Sequence, residues 1–434
     1  MARPSEQSRV MAAMPAAVAG GVAGLAFAGA LGMAAVALFG LAPMQAALPW
    51  FGGAGFDVAD FAVDPLRAAL LAPLLLAAAA TITAAGRPKP GLYALIVASV
   101  LAVLALGPYG SALGAVFWGG IALLLALWGR QGGAFALAAV PSVLVTVALD
   151  APALDPVFAL AGGAALLGGG LWAARANTLA GLARATALGF AGLALLSLGL
   201  GAAPAAVAAM IANALIAPVL GIAAATLTEA TGTSALDWLG GIARGMPRFA
   251  LLMGGGLAFA AMLPPGPGFV AFSAAWRAAI GAGAWTAIVV LALWFALMGF
   301  AVLRAFAAIA LGRPRSLRAA AAEDAARPVL VALAALLLGG AIFALADPAR
   351  LGLGLAMAAL ALGARWFLLR AGPVDVPAYD DGFARSPAWL PFGDPTTQIT
   401  ATGFAGALRL PPRAQPAWRW ACRAGRWLAV PFRP

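Results

Sequence analysis

The ionisable side chains placed inside the apolar segments of this sequence are arginines. The 434 residues contain no histidine and a single cysteine, Cys422, and lysine occurs only as Lys89. Every glutamate and aspartate falls in a predicted loop, turn or terminal segment. The charged and polar candidates for chemistry in the apolar interior are Arg304, Arg277, Asn213 and Asn177.

These residue types limit the chemistry that the interior can perform. Arginine stays protonated in proteins, so Arg304 and Arg277 cannot pass a proton on by titrating. We expect the Arg304 side chain to extend to the nearer interface, with an ion pair or a lipid contact as the alternative. Neutral polar groups could order water, but they more often form hydrogen bonds between helices. These groups are Asn177, Asn213, Thr186 and Ser197.

Catalytic and cofactor sites are not expected in this chain. The absence of histidine and the single cysteine exclude Cys/His zinc sites and haem sites. A membrane-embedded hydrolase needs a nucleophile with a base, or acidic metal ligands, and no aspartate pair lies in an apolar segment. We therefore expect no catalytic residue, no metal ligand and no cofactor-binding residue.

The composition is that of a polytopic membrane protein. Apolar residues make up 64% of the chain, charged residues 9%, and the mean hydropathy is +0.99. Soluble domains carry about 25% charged residues, so this chain cannot cover itself with a polar surface. Soluble, disordered and nucleic-acid-binding classes are excluded. The net charge of +11 is typical of basic cytoplasmic loops.

The apolar segments predict an all-α bundle of about 12 transmembrane helices, because crossing the bilayer core takes about 20 apolar residues. Continuous apolar runs without period-2 alternation exclude a β-barrel. The predicted spans are 14–41, 66–86, 91–107, 111–129, 133–149, 155–175, 181–200, 204–227, 241–263, 284–311, 328–346 and 351–370.

Basic loops alternate with neutral or acidic ones, such as the loop with Asp57, Asp60 and Asp64. By the positive-inside rule both termini are cytoplasmic. We expect the membrane to be a bacterial inner membrane. The turn near Pro265 is predicted on the outer side of the membrane and the next basic loop on the cytoplasmic side. The chain must therefore cross the membrane an odd number of times between them. Residues 269–282 are therefore predicted to form a broken or re-entrant half-helix.

Two regions follow from this pattern: a transmembrane domain at 1–371 and a cytoplasmic Pro/Arg/Trp-rich tail at 372–434. The tail's arginines alternate with Trp418, Trp420 and Trp427. Basic residues with interleaved tryptophan suit a membrane interface, and docking on a partner subunit remains an equal alternative. The glycine run at 162–170 predicts close helix packing, because it lies in an apolar span without the lysine of a nucleotide loop.

Several motifs occur in a recognisable order. They are TLAGLARATALGFAG at 178–192, EATGTSALDWLGGIARGMPR at 229–248, LPPGPGF at 263–269, GRPRS at 312–316, YDDGF at 379–383 and TQITATGFAGALR at 397–409. In this order the chain resembles the antiporter-like, proton-conducting membrane subunits of complex I and the membrane-bound hydrogenases. The hydrogenase-4 component B and formate hydrogenlyase membrane subunits are the nearest likeness. The resemblance covers about residues 100–410, in a shortened chain.

The departures from that family concern its charged residues. The family's glutamate in a Trp-Glu pair matches Gly119, and its two lysines match Ala180 and Ala217. The charged residue after its LPP-x-x-GF motif matches Phe272. Each aligned proton-path position is therefore neutral here. Removing acids and lysines together avoids unpaired buried charges, which are costly in a bilayer.

The resemblance implies a membrane-arm subunit of a complex I-like or group-4 hydrogenase-like oxidoreductase. Its partners would be other membrane-arm subunits, a peripheral redox arm and the lipid bilayer. With the proton-path residues replaced, we expect a structural, non-pumping role in an electron-transport complex. The alternatives are proton translocation through ordered water lined by Asn213, Asn177 and Arg304, and a stand-alone transporter in which Arg277 and Arg304 bind an anion.

Overall fold

The computed structural model describes residues 6–39, 44–47, 60–63, 65–86, 90–105, 118–124, 133–149 and 154–346, with isolated positions between 352 and 366. The predicted span 351–370 lies largely outside the described residues, as does most of 111–129. The tail 372–434 and the loop residues Asp57 and Asp64 lie outside them entirely.

The described chain is a helical bundle, as predicted, with one short two-stranded ribbon added. The helices are α1 (Glu6–Phe39), α2 (Pro65–Ala85), α3 (Pro90–Leu104), α4 (118–124), α5 (Gly133–Leu149), α6 (Asp155–Arg175), α7 (Leu179–Gly199), α8 (Ala203–Thr231), α9 (Ile242–Gly245), α10 (Pro247–Ala260), α11 (Pro267–Gly281), α12 (Trp285–Ala310), α13 (Leu317–Ala320) and α14 (Arg327–Leu345). The antiparallel strands β1 (Met44–Ala47) and β2 (Asp60–Val63) pair between α1 and α2.

Seven helices of the described part are long and apolar enough to cross a membrane: α1, α2, α6, α7, α8, α12 and α14. Five of them, α2, α6, α7, α12 and α14, agree with the predicted spans within two residues at each end, whereas α1 begins eight residues before its predicted span and α8 ends four residues after its own. For example, α12 was predicted at 284–311 and extends over Trp285–Ala310. The chain is thus a multi-pass membrane protein.

Helix α8 is the centre of the bundle. It contacts α2, α5, α7, α10, α11 and α14, and 89% of its most apolar stretch is buried. Pro204 stands in its first turn, where a missing backbone N–H costs nothing, and Gly232 ends it in a left-handed conformation. The neighbouring helices are therefore positioned by one buried helix.

Helices α6 and α7 approach each other backbone to backbone. Gly162 packs against the backbone of Leu196, and Gly192 packs against the backbone of Leu166. A Cβ atom at Gly192 would lie 2.7 Å from the Leu166 nitrogen, closer than real contacts allow. The glycine run at 162–170 is thus a close-packing surface, which confirms its prediction from sequence.

The segment α10–α11 differs from its prediction. The two helices have 14 and 15 residues, so each is about 21–23 Å long and shorter than the bilayer core of about 30 Å. Gly256 of α10 packs against Val219, half-way along α8, and Gly268 of α11 packs against Phe190, half-way along α7. The intervening turn therefore lies in the middle of the bundle.

Two corrections follow. The turn near Pro265 is not at an outer surface, and 241–263 is not a complete span. Instead, α10 and α11 are the two halves of one broken crossing. The short helix predicted at 269–282 is present as α11, Pro267–Gly281.

The two ends of the bundle differ in charge. The basic face is formed by residues 232–248 and 311–326, which carry Arg244, Arg248, Arg313, Arg315 and Arg318. The opposite face is formed by the helix ends near residues 200–204 and 281–285, and the described chain carries few charged residues at this end, among them Arg67 and Asp155.

Candidate functional site

Buried polar side chains are the candidates for a path through the bundle. In the described part of the chain they include no aspartate, glutamate or lysine. They are Arg67, Thr81, Ser99, Ser142, Thr186, Ser197, Asn213, Thr231, Arg304 and Arg315.

The buried hydroxyls bond to their own helices. Thr186 Oγ1 donates to the Leu182 carbonyl at 2.9 Å, and Ser197 Oγ donates to the Leu193 carbonyl at 2.7 Å. The other four buried hydroxyls likewise donate to the carbonyl four residues earlier, at 2.7–2.8 Å. The helix–helix hydrogen bonds expected for Thr186 and Ser197 are therefore not formed, because the carbonyl of the preceding turn is nearer.

Asn213 forms an interhelical hydrogen bond. Pro141 of α5 has no N–H to give to the Leu137 carbonyl one turn earlier. Asn213 Nδ2 donates to that carbonyl from α8 at 3.0 Å. Asn213 Oδ1 is buried and accepts no hydrogen bond from the described residues. This side chain ties α8 to α5 at a proline site, which confirms the predicted helix–helix role.

Arg304 is an internal helix cap. Its Nη2 donates to the Ala176 carbonyl at 2.6 Å and to the Ala173 carbonyl at 3.4 Å. Both carbonyls belong to the C-terminal end of α6, where the helix dipole favours a cation. Arg304 is only 7% exposed, so protein covers its guanidinium at the basic end of α6. Two carbonyls of α6 bind its Nη2, and the predicted reach to the lipid interface stays a prediction.

Replacing Arg304 with alanine is expected to lower the stability of the bundle by about 2 kcal/mol, since charged hydrogen bonds contribute about 1.5–3 kcal/mol. The midpoint of thermal unfolding in detergent measures this. Leu303→Ala is the control, because Leu303 is the neighbouring residue on α12 and is 70% exposed. Equal midpoints for the two variants would show that the α6 cap contributes nothing.

The other two candidates are exposed. The Asn177 side chain faces outward, and its backbone carbonyl accepts a 2.9 Å bond from the Leu236 N–H. Arg277 is on α11, with its Nε donating to the Ser273 carbonyl at 3.2 Å. Arg304 and Asn177 therefore lie at the basic end, Asn213 in mid-bundle and Arg277 toward the opposite face. The structure does not gather the four into one site.

The positions aligned with the family's charged residues are packed by apolar groups. A Cβ atom at Gly119 would lie 2.7 Å from Val143 Cγ1. Ala217 is 0% exposed in the middle of α8, directly before Pro218. Ala180 is half-buried in the first turn of α7.

The fourth of these positions, Phe272, is part of an aromatic cluster. Its ring stacks on Phe295 with centroids 5.2 Å apart and lies 5.6 Å from Trp276. Such ring pairs stabilise helix contacts beyond the area they bury. The α11–α12 contact is thus apolar where the family carries a charge.

Sequence reasoning missed Arg67. This residue lies two positions into α2 at the opposite face, and it is only 1% exposed. Arginines at span edges are usually read as loop residues. One signal in the sequence could have identified it: Arg67 is a basic residue on the outer side of the membrane, where the positive-inside rule predicts few of them.

The sequence motifs meet at the basic face. Thr178 pairs with Ala235, and the Gly241 N–H donates to the Leu311 carbonyl at 2.9 Å. Gly240 and Gly241 have φ angles of 123° and 61°, conformations that favour glycine. They pack directly on residues 313–315. The LDWLGG and GRPRS motifs thus form one structural junction.

Charged groups brace this junction. Arg315 Nη1 donates to the Asp237 carbonyl at 3.1 Å. Burial lowers the pKa of Arg315, and the Asp237 carboxylate opposes that shift. The Asp324 carboxylate accepts bonds from the Arg248 and Phe249 N–H groups at 3.2 and 3.1 Å, which caps the start of α10. These contacts join the loops of the basic face to the start of α10.

No group of three His, Cys, Asp or Glu that could hold a metal ion occurs among the described residues. No protein-family model matches the sequence, and no curated protein matches it either.

Solved structures do share the fold. A chain of the membrane-bound sulfane sulfur reductase, an archaeal respiratory membrane complex, is 14% identical with a TM-score of 0.66, over 95% of this chain and 94% of that one. A chain of the Mrp complex from Dietzia sp. DQ12-45-1b is 15% identical with a TM-score of 0.56, over 77% and 90%.

A chain of respiratory complex I from Thermus thermophilus is 18% identical with a TM-score of 0.53, over 76% of this chain and 95% of that one. The fold is therefore that of the antiporter-like membrane subunits of respiratory complexes.

Proposed function

We propose that this chain is a membrane-arm subunit of a complex I-like or hydrogenase-like respiratory complex, in which it supports its neighbours and does not pump protons. The observation that carries the proposal is the absence of buried aspartate, glutamate and lysine from the described part of a bundle with this fold. Proton transfer through a membrane needs groups that change charge. The aligned positions Ala217 and Phe272 are filled by apolar packing.

The remaining polar groups support the same proposal. Each buried hydroxyl within a described span gives its proton to its own helix. Asn213 and Arg304 are engaged by backbone carbonyls of α5 and α6, so both act in holding helices together. The charged contacts of the basic face join loops to helix ends, which suits a subunit that supports others.

The partners follow from the fold relatives, which belong to membrane complexes. We propose that this chain associates with other membrane-arm subunits and a peripheral redox arm, without a catalytic centre or cofactor of its own. It would lie in a bacterial inner membrane with both termini in the cytoplasm. The tail 372–434 would contact the lipid surface or a neighbouring subunit. The closer likeness to hydrogenase-4 component B rests on the motifs at 229–248, 263–269 and 312–316.

Affinity purification of the tagged full chain in mild detergent tests the partnership. We expect hydrogenase-like or quinone-reductase-like subunits and further membrane-arm subunits in stoichiometric amounts. Purification as a lone monomer under conditions that keep other respiratory complexes intact would contradict the proposal.

Proton flux into proteoliposomes tests the absence of pumping. We expect the purified chain to conduct no faster than empty liposomes under an imposed pH gradient and potential. Flux above this level that disappears in Arg304→Ala would instead support conduction through ordered water. Leu303→Ala serves as the matched control in that comparison.

A further inference from the structure

A groove opens between helices near the opposite face of the bundle. Its volume is about 750 Å³, and it is lined by the first turns of α2 and α8, by α11 and by Phe343 of α14. Alanine, proline, valine, leucine, isoleucine and phenylalanine side chains line it almost entirely. Arg277 is the one charged residue in this lining. The volume falls in the range of about 300–1,000 Å³ for small-molecule sites.

The charge and the apolar lining are separated along the bundle axis. Arg277 lies at the end of the groove that Ala203 and Pro204 form, at the start of α8. Ile211 lies eight residues further along α8, about 12 Å deeper at 1.5 Å per residue. Val270 lies seven residues before Arg277 on α11, about 10 Å deeper. The groove thus has a cationic mouth at the helix ends and an apolar depth toward mid-bundle.

Arg277 is fixed at this mouth by one of its N–H groups, and its other N–H groups can donate to a ligand. Its Nε bonds to the Ser273 carbonyl one turn earlier, which fixes the direction of the side chain. The residue is exposed, and a guanidinium has five N–H donors in a planar fork that matches phosphate oxygens.

We propose that this groove binds one anionic phospholipid of the phosphatidylglycerol type, in the leaflet of the opposite face. An acyl chain fills the apolar depth beside Val270 and Ile211. The phosphodiester sits at the helix ends, where the headgroup layer begins, and accepts hydrogen bonds from Arg277. A phospholipid has a negative headgroup for the cationic mouth and an apolar tail for the apolar depth. A partner helix is apolar throughout the bilayer core, so it would leave Arg277 without a counter-charge. The proposal does not depend on the function proposed above.

Photolabelling of the full chain in phosphatidylcholine nanodiscs tests this proposal. The probe is phosphatidylglycerol with a diazirine in its acyl chain, and the references are a matched phosphatidylcholine and a matched free fatty acid. We expect the phosphatidylglycerol probe to label peptides containing Val270 and Ile211 more than either reference. Arg277→Gln should reduce that labelling about fivefold, the effect of one basic residue near an anionic headgroup.

Two further variants separate the site from general effects. Ala274→Phe fills the groove and should also reduce labelling at Val270 and Ile211, even if Arg277→Gln fails to fold. Arg244→Gln removes an exposed arginine of the basic face and should leave labelling unchanged. Equal labelling by the three probes, labelling unaffected by both groove variants, or no labelling in the groove would overturn the proposal. The last result would exclude a phospholipid as the occupant of the groove.

Discussion

Gly162→Leu is expected to prevent α6 from packing on α7, while Gly163→Leu leaves the bundle intact. Gly162 packs directly on the Leu196 backbone, and a Cβ atom there would lie 2.8 Å from the Gly192 carbonyl oxygen. Backbone cannot move aside as a flexible side chain can, so the helices must separate. The expected cost is about 3 kcal/mol or more, at the upper end for overpacked cores.

Gly163 offers a matched control in the same helix. Nothing lies within 4 Å of a Cβ atom placed there, so a leucine side chain leaves the helix at this position without meeting the backbone of α7. We expect its effect on stability to stay within about 0.5 kcal/mol. Size-exclusion profiles and thermal midpoints of the two variants in the same detergent measure the difference. Similar behaviour of both variants would mean that the close approach of α6 and α7 is not required.

The positions of most spans could be predicted from sequence because the thickness of the bilayer core sets the number of apolar residues that a crossing helix needs. Helices α6 and α12 were predicted within one residue at both ends, at 155–175 and 284–311. The broken crossing was harder, since LPPGPG signals a turn equally well at a surface or inside a bundle. Only the contacts of Gly256 and Gly268 with mid-helix residues place the turn at mid-depth.

The roles of the polar residues depended on partners distant in sequence. The partners of Arg304 lie 128 and 131 residues away, and that of Asn213 lies 76 residues away. From sequence alone, Arg304 could equally reach the interface and Asn213 could equally order water, because the carbonyls that bind them are far away in the sequence. By contrast, the lack of acids and lysines inside spans was visible directly in the residue types.

Ala217→Lys is expected to destabilise the protein strongly. Ala217 is 0% exposed in the central helix α8, at the position that the family resemblance assigns to a lysine. A lysine at the middle of a membrane helix costs about 3 kcal/mol even where some relaxation is possible. In the described part of the chain no buried carboxylate is present to pair with it. We expect a sharply lower thermal midpoint and a low yield of monodisperse protein.

Ala180→Lys is the matched control, because it restores the other aligned lysine at a half-buried site in the first turn of α7. From there a lysine can extend its ammonium to the basic face, so a loss below about 1 kcal/mol is expected. If Ala217→Lys were as stable as Ala180→Lys, the centre of α8 would contain a site able to hold a charge. Proton flux gained by that variant would then show that the path is retained and lacks only its lysine. A strongly destabilised Ala217→Lys variant would mean that the surrounding helices have closed on alanine, as expected of a subunit whose interior is used for packing.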